Sequence, residues 1–160
     1  MTTPPDIWRP HVTVATVVAD GDRFLLVEED IRGAHLYNQP AGHLEPDESL
    51  IDAAVRETLE ETGWEVALDH FIGVHQWWSP VHHDHIVRFS FAGHALRHHA
   101  DRALDAGICR ALWLRRDQIA THTDQLRSPL VLASIDAWLG GQRLPLTTLQ
   151  CLLPEPVVAP

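Results

Sequence analysis

The 160-residue sequence predicts one domain in which strands and helices form a sandwich of the α/β or α+β class. β-rich runs fill the first part and the middle of the chain, a strongly patterned helix separates them, and a second helical pattern follows. A chain of this length buries a sizeable core, and an apolar content of 45% is ordinary for a globular protein. No internal repeat or second domain is visible.

A β-hairpin is the first predicted element. The runs HVTVATVVA and RFLLVEE lie between His11 and Glu29, and Asp20-Gly21-Asp22 between them is a turn signal. The following stretch, IRGAHLYNQPAG, is punctuated by Pro40 and Gly42, so we expect it to be irregular.

A helix is predicted from Ser49 to Gly63. Ser49 and Asp52 resemble a capping box, and Gly63 supplies a C-terminal stop. Its less polar residues share one side, which we expect to face the core while the acids of the other side face a cleft. These less polar residues are Ile51, Val55, Thr58, Leu59 and Thr62.

The rest of the chain predicts three strands, a helical turn and a final helix. The strands are Phe71 to Trp78, His85 to Leu96 and Cys109 to Leu114, the turn begins at Arg115, and the helix SPLVLASIDAWL ends at Gly140-Gly141. Core packing is expected for Trp78, and a solvated loop for His82 to His85. The predicted organisation is a flexible N-terminus (1–8), one domain (9–146) and a Pro-rich, irregular tail (147–160).

The net charge, the cysteines and the first residues of the sequence limit the partners and the compartment that we expect for the protein. A net charge of −10 argues against a nucleic acid or an anionic membrane surface. Cys109 and Cys151 form no paired motif and are expected to be free thiols. The first residues lack a signal-peptide pattern. We therefore expect a cytoplasmic monomer or homodimer with a small-molecule partner.

The acids of the predicted helix indicate where the functional site of the protein lies. Glu57, Glu60 and Glu61 share one helical face, where like charges repel by about 0.2–0.5 kcal/mol per pair. A divalent cation would compensate them, and carboxylate oxygens suit Mg²⁺ or Mn²⁺. Arg56 is placed to pair with Glu48 and hold the preceding loop on the helix. A solvated acidic face is the alternative that these residues alone leave open.

The spacing of these residues resembles the signature of the Nudix hydrolases. The motif runs through Gly42, Glu48, Arg56-Glu57, Glu60-Glu61 and Gly63, and Thr58 stands where an aliphatic residue is usual. The resemblance implies an α/β/α sandwich around a mixed β-sheet and Mg²⁺-dependent hydrolysis of a diphosphate linked to another moiety.

The resemblance also implies roles for individual residues. Metal ligands would be Glu57, Glu61, Glu60 and the carbonyl of Ala41, with Glu60 as a further ligand or the base. Glu57, Glu60 and Arg56 form the expected catalytic set, and Glu45 is a possible helper. Gly42, Glu48 and Gly63 would be structural.

Further segments, among them YNQPAGHLE, HQWWSP, IVRFSF and LRSPL, resemble the NudJ-type phosphatases within that family. This implies substrates such as nucleoside di- and triphosphates, thiamine diphosphate or hydroxymethylpyrimidine diphosphate, and release of inorganic phosphate. Pro80 resembles a mark of ADP-sugar pyrophosphatases, so ADP-ribose-like substrates are the alternative. A nucleotide-sensing domain without catalysis is a second alternative.

One position departs from the pattern of many Nudix enzymes. An extra acid commonly stands about six residues before a tryptophan of the later strand, and here that place, counted from Trp113, holds Gly107. Asp105 is the nearest acid. The identity of the general base, Glu60 or a residue assisting it, is therefore left open.

Substrate contacts are predicted from side-chain chemistry. Arginine matches phosphate oxygens in a forked geometry, aromatic rings stack on a heterocycle, and amides or imidazoles read its edges. The predicted substrate-binding residues are Tyr37, Asn38, Gln39, His75, Trp77, Arg88 and Arg127.

Overall fold

A computed structural model describes residues 7–154. Seven strands and three α-helices make up the fold, with single 3₁₀ turns at Thr123–Gln125 and Leu146–Thr148. The strands are β1 (His11–Asp20), β2 (Arg23–Ile31), β3 (Ala34–Asn38), β4 (Ala41–His43), β5 (Trp64–Ser79), β6 (Asp84–His98) and β7 (Ile108–Arg115). The helices are α1 (Leu50–Thr62), α2 (Arg116–Thr121) and α3 (Leu130–Leu139).

The strands form a mixed sheet in the order β3-β2-β1-β6-β5, with β4 added to β1 and β7 added to β2. The β1–β6 pair is parallel, with Val14 opposite Phe89, and the remaining named pairs are antiparallel. β1 pairs with β4 and β6 over its first part, and only Ala19 and Asp20 pair with β2. The sheet therefore opens between β4 and β2, and this gap contains the site described below.

Helices cover both faces of the sheet, as the predicted sandwich requires. Val14 of β1 packs with Ala53 and Ala54 of α1. Val17 of the same strand packs with Val131 and Ile135 of α3. Residues of opposite parity on a strand point to opposite faces, so α1 and α3 lie on opposite sides.

Local signals in the sequence are confirmed at three places. Gly21 turns the β1–β2 hairpin with φ +62°. Ser49 caps α1, its hydroxyl accepting the Asp52 N–H at 3.0 Å. Gly63 ends α1 in the left-handed conformation with φ +71°.

Cys109 and Cys151 are both free and exposed.

Other predicted bounds were wrong. The stretch expected to be irregular contains β3 and β4, because β2 and β1 offer it backbone partners that local sequence does not reveal. β5 begins at Trp64, directly after α1, and continues to Ser79. Three register shifts allow β5 and β6 to stay paired over this length. Leu146, at the end of the predicted domain, and Leu149, in the predicted tail, both pack on the apolar cluster beneath α1.

Residues 1–6 of the predicted flexible N-terminus and residues 155–160 of the predicted tail lie outside the described residues. The proposed domain bounds stay a prediction. Within residues 7–154, none of the helices has the length and apolarity that spanning a bilayer would require.

The buried face of α1 differs from the expected one. Ile51, Val55 and Leu59 are only partly buried, while the buried residues are Ala53, Ala54, Glu57, Thr58, Glu61 and Thr62. Two of the acids thus lie on the packed side of the helix rather than opposite it. The close approach of small Ala and Thr residues brings these carboxylates against the β1–β4 backbone.

Thr58, the departure from the motif, is fully buried. Its hydroxyl donates to the Ala54 carbonyl at 2.7 Å and lies 3.0 Å from the hydroxyl of Thr16 on β1. The buried Thr58 hydroxyl therefore has hydrogen-bond partners, one of which is Thr16 on the sheet.

We predict that Thr58→Val and Thr16→Val each lower the free energy of unfolding by about 1 kcal/mol, because each leaves a buried hydroxyl or carbonyl short of a partner. The double variant should cost less than the sum, since both polar partners are then gone. Urea unfolding of the four proteins measures this coupling. Thr62→Val paired with Thr16→Val is the matched control and should be additive; strict additivity of the Thr58 pair would contradict the prediction.

Candidate active site

Arg56 holds the β4–α1 loop against the helix. Its guanidinium donates to both carboxylate oxygens of Glu48 at 2.7 and 3.0 Å, and to the His43 carbonyl at 3.1 Å. It also donates to Glu57 at 2.8 Å and Glu60 at 3.0 Å. These partners, Glu48 first, raise the pKa of Arg56, so its charge is permanent. The expected Arg56–Glu48 pair is present, and it extends into the acid group.

Glu57 and Glu60 meet a third acid, Asp105. Single carboxylate oxygens of the three residues lie within 4.8 Å of one another. Asp105 comes from the connection between β6 and β7, and its backbone N–H donates to the Glu60 carbonyl at 3.1 Å. The structure therefore brings to the helix the acid that the sequence offered in place of Gly107.

Glu61 lies on the other side of Glu57, deeper in the molecule. It is 8% exposed, and its carboxylate accepts the Ala41 N–H at 2.8 Å. Burial raises the pKa of Glu61 to about 9, against the lowering effect of that hydrogen bond, and the charges of Glu29, Glu57 and Asp105 add to the rise. The carboxylate is thus held in an environment that favours its proton until a cation arrives.

Gly42 is needed for the approach of β4 to α1. A Cβ on Gly42 would lie 2.1 Å from the carboxylate carbon of Glu57. Any side chain there would displace this carboxylate. Burial also raises the pKa of Glu57, although Arg56 opposes the rise.

This donor set fits a divalent metal ion. Clustered carboxylate oxygens, several of them buried and mutually repelling, match the hard oxygen ligands that Mg²⁺ and Mn²⁺ take. Glu57, Glu60 and Asp105 supply the clustered acids, and Glu61 lies beside β4, where it accepts the Ala41 N–H.

A cleft of about 170 Å³ opens next to this acid group, between β4 and β2. Four predicted substrate-binding residues line it: Asn38, Trp77, Arg88 and Arg127. Ala41 and Gly42 form the wall shared with the acids. The cleft and the acid group therefore share the Ala41–Gly42 backbone, although none of the four acids lines the cleft itself.

The other three predicted substrate-binding residues do not line the cleft. Tyr37 packs on the core next to α3 and on the ring of His122, at 5.0 Å between centroids. Gln39 is 1% exposed and buried within the loop before β4. His75 lies behind the cleft, 3.4 Å from the Ser90 hydroxyl. These positions correct their predicted placement.

The expectation for Trp78 was wrong, and the position of His82 adds to what was expected of its loop. Trp78 is 48% exposed rather than a core residue, because alternation along β5 turns Trp77 inward and Trp78 outward. His82 is exposed, as expected for the loop, but it also lines the cleft, 5.7 Å from the ring of His11.

Sequence reasoning missed several cleft residues: His11, Thr13, Glu29, His43 and Ser128. Glu29 is 8% exposed and accepts the Asn38 amide at 2.9 Å, with Arg127 Nε at 3.3 Å. No local pattern marks Glu29, because only the fold brings Asn38 and Arg127 to it. Ser128 stood within LRSPL, a segment already noted for its resemblance, and was interpreted only as a helix start.

The fold and the acid-bearing loop and helix together define a class of protein. The family model described as NUDIX domain matches residues 9–134. The chain belongs to the Nudix family and is a hydrolase of phosphorus-containing acid anhydrides.

Individual relatives sharpen this assignment. Phosphatase NudJ of Escherichia coli (strain K12) is 45% identical over 140 residues, which cover 88% of this chain and 90% of that protein. The structure of a NUDIX hydrolase from Nitrosomonas europaea superposes with a TM-score of 0.87 at 44% identity, covering 89% of this chain and 97% of that one. An ADP-ribose pyrophosphatase from Streptococcus suis has a TM-score of 0.64 at 16% identity, covering 85% and 96%, and shares the fold.

We predict that the contribution of Glu61 to the stability of the metal-free protein falls as the pH rises from about 4.5, the ordinary pKa of glutamate, to about 9, the pKa of folded Glu61. In that range the folded state binds more protons than the unfolded state, so the free energy of unfolding falls with pH. Thermal unfolding in chelator between pH 5 and 9 measures it.

Glu61→Gln should flatten this pH dependence, because the amide keeps the neutral form at every pH. Glu45→Gln, at the exposed side chain in the same loop, is the matched control and should leave the slope unchanged. A slope in Glu61→Gln equal to that of the unmodified protein would contradict the assignment of the raised pKa to Glu61.

Proposed function

We propose that the protein is a Mg²⁺-dependent phosphohydrolase of small diphosphate and triphosphate compounds that releases inorganic phosphate. The observation that carries this proposal is the acid group on α1, which lies against the Ala41–Gly42 backbone that also lines a cleft containing Arg88 and Arg127. Acids that suit a metal lie beside arginines that suit phosphate. The similarity to Phosphatase NudJ supports the release of phosphate.

The proposed metal ligands are Glu57, Glu60, Glu61 and the carbonyl of Ala41. A bound Mg²⁺ would polarise a phosphoryl oxygen and lower the pKa of a bound water. Mn²⁺ would satisfy the same oxygen donors. Arg56 orients Glu57 and Glu60 through its hydrogen bonds and fixes the loop through Glu48. Gly42 and Gly63 allow the close approach and the helix end that this arrangement needs.

The general base is proposed to be Glu60, assisted by Asp105. Glu60 is the least buried acid of α1's group, and its partner Asp105 is exposed, so both face the side from which water enters. Arg56 lies 3.0 Å from one Glu60 oxygen and leaves the carboxylate within reach of Asp105.

The cleft favours a compact organic group. Its volume of about 170 Å³ lies below the roughly 300–1,000 Å³ of sites that enclose drug-sized ligands. Trp77 offers a ring to stack on, and Asn38 offers an amide. We therefore propose nucleoside di- and triphosphates, thiamine diphosphate and hydroxymethylpyrimidine diphosphate as the substrate class, bound by Asn38, Trp77, Arg88 and Arg127.

Hydrolysis of ADP-ribose or ADP-sugars is the alternative within the family. The fold shared with the Streptococcus suis ADP-ribose pyrophosphatase does not discriminate, because 16% identity reflects the architecture alone. A sensing domain without catalysis is disfavoured, since every acid of the motif is retained. A cytoplasmic location and a monomeric or homodimeric state stay predictions.

A substrate panel with product identification tests the function. The panel comprises hydroxymethylpyrimidine diphosphate, thiamine diphosphate, ADP, GTP and ADP-ribose, each with and without Mg²⁺. We expect inorganic phosphate and a monophosphate, and no turnover by folded Glu61→Gln. AMP with ribose phosphate would favour the alternative, and binding without product would identify a sensor.

We predict that Asp105→Asn lowers kcat about tenfold or more while the melting temperature is kept, because an assisting acid–base group typically contributes about 10²–10⁴-fold. The matched control is Asp101→Asn, an exposed acid of the same connection that lies outside the acid group. Steady-state kinetics at saturating Mg²⁺ compare the two. Equal kcat values for Asp105→Asn and the unmodified protein would remove Asp105 from the mechanism.

A further inference from the structure

The polar residues of the cleft divide by depth. Six of them are buried, each with less than a tenth of its surface exposed: Thr13, Glu29, Asn38, Ser79, Arg88 and Ser128. The Ser79 hydroxyl accepts the His82 N–H at 3.3 Å, so Ser79 lies with His82 at one end, and the other five lie at the opposite end. At the end with Ser79, His43 and His82 are exposed, and His11, Trp77 and Ile86 are partly exposed. The cleft therefore has a closed polar end and an open end that carries its aromatic and apolar surface.

The closed end contains polar atoms without partners. Arg88 Nη1 and Ser128 Oγ are inaccessible to solvent and have no hydrogen-bond partner among residues 7–154. Arg88 is 5% exposed and Ser128 is 7% exposed, and both line the cleft. Buried donors left unpaired are costly, so this end is built to receive an acceptor.

The charge at the closed end favours an anion. Arg88 and Arg127 face one acid, Glu29, whose oxygens are already engaged by the Asn38 amide at 2.9 Å and by Arg127 Nε at 3.3 Å. Arg88 Nε lies 3.5 Å from the Thr13 hydroxyl. Glu61, outside the lining, is a second acid that acts on Arg88. Among the Asp, Glu, Lys and Arg residues that line the cleft, two are arginines and one is a glutamate, so the lining carries a net positive charge inside a chain of net charge −10.

We propose that this closed end, Arg88 with Ser128 and Arg127, binds the terminal phosphate of the substrate, so that the substrate enters phosphate first. This inference rests on the proposed function and specifies which end of the substrate lies deepest. A phosphate is compact and accepts hydrogen bonds from several donors at once. A heterocycle at this end would bury the guanidinium groups without supplying a negative charge to pair with them. The organic group then lies at the open end beside Trp77, His11 and His82.

This orientation has consequences for products and specificity. Hydrolysis adds one water across the terminal anhydride and yields inorganic phosphate together with an organic monophosphate from a diphosphate, or an organic diphosphate from a triphosphate. The inorganic phosphate is the part held at the closed end. The organic group contacts one stacking ring and exposed imidazoles, which discriminate weakly between different rings. Tolerance for several organic groups follows from the same arrangement.

Binding of inorganic phosphate to the full-length, metal-free protein tests the inference by isothermal titration calorimetry. We expect one phosphate per chain, with affinity lowered about tenfold in Arg88→Lys and severalfold in Ser128→Ala, since hydrogen bonds to charged groups carry about that much. Arg23→Lys, at an exposed arginine paired with Asp20, is the control and should bind like the unmodified chain. Circular dichroism verifies folding, and Ser128→Ala keeps the test valid if Arg88→Lys misfolds.

The outcomes separate this inference from the proposed function. Phosphate binding that is absent, or insensitive to both substitutions, would overturn the inference even if the substrate panel shows turnover. Competition with phosphate by a nucleoside or a hydroxymethylpyrimidine without phosphate would also overturn it, because the ring would then occupy the closed end. If phosphate binds as expected and both substitutions weaken it, but no substrate of the panel is hydrolysed, the proposed function is contradicted and the inference is not.

Discussion

The Arg56 guanidinium is the group on which the geometry of the site depends. It joins the loop acid Glu48, the His43 carbonyl and two acids of α1 in one set of hydrogen bonds. Without this charge, Glu57 and Glu60 would repel each other and the loop would lose its anchor on the helix. The arginine therefore makes an acidic helix face compatible with folding before any cation is bound.

Burial divides the acids into different chemical environments. Glu61 is buried against the β4 backbone, Glu57 is buried beside Gly42, and Glu60 is only partly buried and lies beside Asp105. Burial therefore disfavours the charged form of Glu61, which has lost most of its contact with water, whereas Glu60 keeps part of that contact. The small residues of α1, Ala53, Ala54 and Thr58, permit this by letting the helix approach the sheet closely.

The sequence predicted what depends on local chemistry. The turn at Gly21, the cap at Ser49, the helix end at Gly63 and the Arg56–Glu48 pair all follow from neighbouring residues and were found. What it missed depends on pairing at a distance. β3 and β4 form only because β2 and β1 lie beside them, and Glu29 enters the cleft only because that strand is placed opposite Arg127. Residues predicted by chemical type alone, such as Tyr37 and His75, were placed by alternation and packing outside the cleft.

The parallel pairing of β1 with β6 has a consequence for how the chain reaches this structure. His11 lies beside Ile86, so the first strand finds its central partner only after more than half of the chain is available. Closing so long a loop costs entropy before contacts compensate for it, which slows folding. During synthesis the apolar run of β1 is exposed until β6 emerges, and this is the interval in which the chain is most prone to aggregate.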